Sequence, residues 1–221
     1  MLNPCTLPSS PRDFPEWHHG RGEYAVWALD LAPWLAAECR ALREHFDDLL
    51  LPGYVRQPHL TLRVCGFPAP VRRYDDDYLS EQYERDRAGL VRGAPGPFSI
   101  EVGALGTFET ALFLSVRDFG GIARLHRALS LPGTDGFFAL PHVTIGLYRV
   151  AVPLDEVRRR LARVAVVPRT LEIRGVSLMT YQPSVIGGPL TTKEFVGFSL
   201  EGVADQEGED AGHGGVAHGP G

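Results

Sequence analysis

One pentapeptide pattern occurs twice in this chain. Pro58-His59-Leu60-Thr61-Leu62 returns eighty-three residues later as Pro141-His142-Val143-Thr144-Ile145. In an extended chain, alternate side chains leave on opposite faces. Each copy therefore buries its two aliphatics on one side and offers a His and a Thr on the other. Two such strands brought together give two imidazoles and two hydroxyls facing one cleft. Those are the parts needed to hold a phosphate and move protons around it. A single His-x-Thr carries no information in a chain with eight histidines; the matched pair does.

The surroundings of the two copies repeat as well. Residues 23–31 have strand character, and a helix opens at Pro33, a residue suited to a first helical turn. Its apolar positions Trp34, Leu35, Leu42, Phe46 and Leu49 fall at helical spacing. Pro52-Gly53 breaks it, and the first motif strand begins near Pro58. In the second half, residues 111–116 read as a strand and 121–131 as a helix carrying Ile122, Leu125 and Leu129. Pro132-Gly133 is the break, and a second motif strand starts near Phe138. From strand start to motif His the count is 36 residues in one half and 31 in the other. That match of order and punctuation argues for an internal duplication.

Further elements surround the halves. Residues 98–102 read as a strand leading through Gly103, Gly106 and Phe108. Residues 154–164 form an Arg-rich amphipathic helix with Leu154, Val157, Leu161 and Val164 inward. Residues 171–180 and 195–200 read as late strands. The charge-dense stretch 72–87, with Asp75-Asp76-Asp77, reads as a solvated surface insertion in preference to a cation-binding loop. Strands and helices mixed without strict alternation give an α+β fold. Residues 1–21 and 204–221, rich respectively in Pro and in Gly with acidic residues, are expected to be a disordered lead-in and tail flanking one domain over 22–203. His18, His19, His213 and His218 are then solvated linker histidines, and His45 and His126 surface or boundary residues on the helices.

Composition excludes some chemistries. Hydrophobic content of 44% and charged content of 22% are ordinary for a soluble globular protein. No apolar run approaches the roughly 20 residues of a membrane span, and residues 1–13 lack the basic start and apolar core of a secretory signal. Cys5, Cys39 and Cys65 are odd in number and scattered, as expected of free thiols in a reducing cytoplasm. The lone lysine, Lys193, belongs to no phosphate-binding loop and no lysyl-adenylate motif, which argues against ATP-driven reactions. A net charge of −5 argues against coating nucleic acid by charge alone.

The two His-x-Thr-aliphatic motifs, each on a strand after a strand–helix unit, resemble the 2H phosphoesterase superfamily, and within it the RNA 2′,3′-cyclic phosphodiesterase or 2′-5′ RNA ligase group. The run Val102-Gly103-Ala104-Leu105-Gly106-Thr107-Phe108, followed by Ala111-Leu112-Phe113-Leu114-Ser115-Val116, is similar to that family's link into its second half. The resemblance spans residues 23–200. It implies a bilobal fold of two antiparallel sheets with flanking helices around a central cleft, no metal or other cofactor, and an RNA or nucleotide substrate bearing a cyclic phosphate; a monomer is expected, though no residue pattern speaks to oligomeric state. It also implies that His59 gives the proton to the leaving ribose oxygen while His142 activates water. The chain departs from the family at two places: relatives carry an Arg five positions after the second His, here Leu147, and an aromatic five after the first, here Val64. On a regular strand Leu147 and Arg149 would both point away from His142.

The residues support that chemistry directly. Histidine suits general acid and general base roles because its ordinary pKa, near ~6.5, lets both forms exist around neutrality. Thr61 and Thr144 can donate to the non-bridging phosphate oxygens as their charge builds. By regular alternation Arg63 and Tyr148, four and six residues past the histidines, share the motif face. Arg63 is then a candidate to meet a phosphate and Tyr148 to stack on a base; Tyr181 is a weaker candidate. Two competing readings change the substrate to 2′-5′ linked oligonucleotides or ADP-ribose cyclic phosphate, or reduce the protein to non-catalytic RNA or nucleotide binding.

Overall fold

The computed structural model describes residues 4–93, 96–129 and 140–198. In chain order its elements are α1 (Pro15–His18), β1 (Tyr24–Asp30), α2 (Ala32–His45), β2 (His59–Ala69), β3 (Asp77–Leu79), α3 (Ser80–Gly93), β4 (Phe98–Thr107), β5 (Ala111–Asp118), α4 (Gly121–Leu129), β6 (His142–Leu147), α5 (Leu154–Leu161), β7 (Arg169–Ile173), β8 (Gly175–Tyr181) and β9 (Thr191–Gly197). The Pro132-Gly133 break, the expected strand start at Phe138 and the acidic tail lie outside the described residues.

Two sheets divide these strands, in the orders β3-β2-β1-β8-β9 and β6-β5-β4-β7. Laid side by side, β2-β1-β8-β9 matches β6-β5-β4-β7, with the unit β1–α2–β2 repeated as β5–α4–β6. This is the duplicated, bilobal α+β fold expected from the sequence. The short β3 is additional and runs parallel to β2, so the larger sheet is not purely antiparallel. One expected late strand is two: β7 ends and β8 begins either side of Arg174, and the chain passes there from the smaller sheet to the larger. Apolar patterning alone cannot see such a change of partner.

The halves interlock. α2 packs against β6, and α4 packs against β2, so each helix lies on the motif strand of the opposite half. The helices read as expected: Ile122, Leu125 and Leu129 of α4 are buried, and the Asp118 carboxylate accepts the first-turn amides of Ile122 and Ala123 at 2.9 and 3.0 Å. Such a carboxylate satisfies orphan donors and complements the helix dipole. A single apolar core joins both halves, running from Trp27 and Leu60 to Leu114 and Val143. Strand β1 is buried almost throughout because its other face carries a second small cluster, Val26, Ala28, Met179 and Leu190.

Two expectations are corrected. The charge-dense stretch 72–87 is solvated only in part: residues 72–75 are exposed, but β3 and α3 carry Asp77, Tyr78 and Asp86 into the interior. Tyr78 receives the indole N–H of Trp27 at 3.2 Å and donates to Asp86 at 2.8 Å. Asp77 accepts the amides of Arg73 and Tyr74 and the guanidinium of Arg21. Nor is residues 4–21 a loose lead-in. The Thr6 hydroxyl donates to Val150 and its amide to Val152, and Ser9 donates to Tyr148, all on the second half. Trp17 then packs on Tyr24 and Phe67, and Arg21 pairs with Asp76 and Asp77, all on the first. The segment straps one half to the other. His18 is buried, its Nδ1 accepting Gly20 N–H and its Nε2 donating to Asp13, and His19 stacks on Tyr74. Polar buried residues and the absence of periodicity hid this segment. No described helix is long and apolar enough to cross a membrane.

Candidate active site

The last aliphatic of each pentapeptide has no partner in the neighbouring strand. Across β1 and β2, Ala28 faces Thr61 and Trp27 faces Arg63, so Leu62 is an extra residue. Across β5 and β6, Phe113 faces Thr144 and Leu112 faces Gly146, so Ile145 is extra. Both bulges fall three residues after the motif His. A bulge shifts the alternation by one residue. Up to the bulge, His59 with Thr61 and His142 with Thr144 share a face as expected, opposite buried Leu60 and Val143. Beyond it the faces exchange.

That exchange corrects the placement of two candidates. Arg63 turns into the protein, where its guanidinium pairs with Asp86 at 2.8 Å and donates to the Leu129 carbonyl. Tyr148 is 1% exposed and its hydroxyl meets that of Thr107 at 2.7 Å. Neither side chain joins the motif face. The residues that take their place are Val64, which is 58% exposed, and Leu147. Leu147 therefore shares a face with His142, and Arg149 bonds instead to the Asp48 carbonyl.

The two imidazoles are held by the same device. His59 Nδ1 lies 2.8 Å from the carbonyl of Gln57, and His142 Nδ1 lies 2.8 Å from that of Leu140, in each case two residues earlier. A carbonyl only accepts, so Nδ1 carries the proton and, in the neutral ring, Nε2 is left with its lone pair. Strands β2 and β6 approach each other, and the two histidines lie within electrostatic range. Burial pushes His59 down to about 4. The bond to the Gln57 carbonyl opposes this, and positive charge on Arg56 and His142 adds to it.

Other side chains, among them the weaker candidate Tyr181, surround the two histidines. Phe108 and Phe113 meet the His142 ring in T-shaped contacts, at centroid separations of 4.9 and 5.5 Å. Phe113 lies flat over Gly106, where a Cβ would come within 2.4 Å of its ring; this is the physical reason for a glycine in that run. On the other side, Arg56 stacks its guanidinium 4.0 Å from the Tyr181 ring and donates to Gly188. Arg56 is thus a cation beside His59. Adjacency to the motif was the only available signal for it. Among the described residues no group of three or more His, Cys, Asp or Glu is placed to hold a metal ion.

The fold has solved counterparts. E. coli LigT, without ligand, superposes with a TM-score of 0.55 at 16% identity, covering 80% of this chain and 98% of LigT. LigT complexed with 3′-AMP gives 0.56 at 16% identity over 81% and 99%. TT0787 of Thermus thermophilus gives 0.51 at 20% identity over 79% and 97%. No curated protein matches the chain. The 2′-5′ RNA ligase superfamily matches residues 30–184. Two motif strands from two interlocked halves and a match over most of the chain lead to one conclusion: this protein belongs to the 2′-5′ RNA ligase superfamily of 2H phosphoesterases.

Proposed function

We propose that the protein opens 2′,3′-cyclic phosphate ends of RNA or nucleotides by two-histidine acid–base catalysis, without a cofactor. The observation that carries this reading is the pair of imidazoles, one from each half, each with Nδ1 tied to a carbonyl and Nε2 left to react. E. coli LigT has been solved with 3′-AMP, a nucleotide bearing its phosphate on the ribose. That supports a substrate of the same kind here.

In the proposed step, His142 Nε2 takes a proton from water as the water oxygen bonds to phosphorus. The bond from phosphorus to one ribose oxygen breaks on the opposite side, and His59 Nε2 gives that oxygen its proton. Thr61 and Thr144 donate to the non-bridging oxygens, where charge accumulates. Burial favours neutral His59. A phosphate anion in contact offsets that cost, so His59 takes up its proton as substrate arrives. With a hydroxyl in place of water as the nucleophile, the same groups join it to the cyclic phosphate as the same ribose oxygen leaves; with water at ~55 M, hydrolysis dominates unless the cleft excludes it.

The test is incubation of the protein, with EDTA present, on a short RNA ending in 2′,3′-cyclic phosphate. Opening to a single 2′- or 3′-phosphate product, lost in His59→Ala and in His142→Ala, is the expected result. No opening between pH 5 and 8 sinks the assignment.

A further inference from the structure

We infer that Arg43, on α2, is a positioning residue that fixes the spacing of the two motifs, an inference that rests on the two-histidine reading above. Its guanidinium makes two hydrogen bonds. Nε donates to the Ile145 carbonyl at 2.6 Å, and Nη2 donates to the Arg56 carbonyl at 2.9 Å. Ile145 is the bulge residue three positions after His142, and Arg56 lies three positions before His59. One rigid, planar group thus holds both motif segments, which come from opposite halves.

Each end of this clamp has a physical reason. A bulge residue falls outside the regular ladder, and a partly buried carbonyl there needs a donor from elsewhere. Arg43 supplies it. At the other end, the segment before His59 is immobilised on every side. The Gly187 carbonyl accepts the amides of both Val55 and Arg56. The Gln57 side chain bonds both the amide and the carbonyl of Leu190, at 2.7 and 2.8 Å. Tyr54 lies under the Arg43 guanidinium, 5.2 Å from its ring centre, and packs against Gly187, where a Cβ would fall 2.6 Å from the ring. The Gln57 carbonyl that orients the His59 ring belongs to this same segment. Arg43 therefore ties the strand that bears His142 to the braced segment whose carbonyl aims the His59 imidazole. The two bonds leave from two different nitrogens of one planar fork, whereas a lysine ammonium offers its donors from a single nitrogen. Arg43 needs to touch no substrate for this.

Geometry at the reacting atoms is steep in its effect: a misplacement of about 1 Å costs about 10²-fold in rate. Arg43→Ala is therefore expected to lose at least about tenfold in kcat on RNA 2′,3′-cyclic phosphate with KM raised no more than about threefold. Millimolar guanidinium is expected to restore part of the loss, and Arg43→Lys to fall between the two. A residue that serves only stability would lower the melting temperature without a kcat loss in the folded fraction, and guanidinium would not restore rate; that result overturns the clamp. If Arg43→Ala does not fold, a folded Arg43→Lys with wild-type kcat overturns it equally. Crystal structures of wild type and Arg43→Lys provide a readout independent of turnover: the separation of the two imidazoles is expected to change. An unchanged separation overturns the clamp. A changed separation with an inactive wild type keeps the clamp and removes the cyclic-phosphate reading instead.

Discussion

The two halves of the site share a backbone and differ in their electrostatics. Both place His and Thr on one face, tie Nδ1 to the carbonyl two residues back and bulge at the third residue after the His. Yet His59 sits beside the Arg56 cation, and burial pushes it down to about 4, whereas His142 makes T-shaped contacts with the rings of Phe108 and Phe113. The first residue after the bulge differs as sharply. It is Arg63 in one half, turned inward onto Asp86, and Gly146 in the other, against Leu50. Duplication therefore preserved what aims an imidazole, while the lining around each ring diverged. Aim is a property of the local backbone; proton affinity belongs to the neighbours.

The largest test of this comparison removes each imidazole. His59→Ala and His142→Ala are each expected to lower kcat by about 10²–10⁴-fold, and the double variant to add little, since the pair acts as a unit. A tenfold or smaller loss at either position would break the equivalence of the halves. Next, Arg63→Met leaves Asp86, which is 2% exposed, without its cation. Breaking a buried pair in this way costs about 3–5 kcal/mol. Urea unfolding should show that loss while KM for RNA stays within about twofold; a selective rise in KM would return Arg63 to the substrate.

A third test uses the depressed His59. Its folded value of about 4 lies below an unfolded value near ~6.5, so between them the unfolded chain binds more protons. Stability attributable to this group is fully present above ~6.5 and is lost as pH falls toward 4, by about 3 kcal/mol in all. Urea unfolding at pH 7 and pH 4 should show a smaller acid penalty in His59→Asn than in wild type, by roughly that amount. Equal penalties would mean that burial does not depress this ring. The smallest effect belongs to the hydroxyls. Thr61→Val and Thr144→Val are expected to lower kcat by about 10–10²-fold each. Similar losses would support equal shares of the phosphate charge, and a loss at one alone would show that the two hydroxyls do not share it.

Much of this molecule was legible in the chain itself. The paired pentapeptides, the repeated strand–helix–strand order and the apolar spacing of α2 and α4 gave the duplicated α+β architecture, because they depend on alternation and helical period, which are local. The faces of His59, Thr61, His142 and Thr144 followed from the same period of two. The period failed two residues later. A bulge is defined by what the neighbouring strand omits, and Trp27, Ala28, Leu112 and Phe113 lie far from the motifs in sequence. That is why alternation alone sets Arg63 and Tyr148 on the motif face, where the structure has Val64 and Leu147.

The strap over residues 4–21 failed for a related reason. Its order comes from Thr6 and Arg21 meeting partners up to 146 positions away, and no periodicity announces such contacts. The sequence by itself determined which residues repeat, which side of each strand they occupy up to the bulge, and the core that both halves bury. Tertiary structure alone decided where alternation breaks, which cation lies beside His59 and which guanidinium joins the two motifs. Those depend on carbonyls, charges and rings brought together only when the halves interlock.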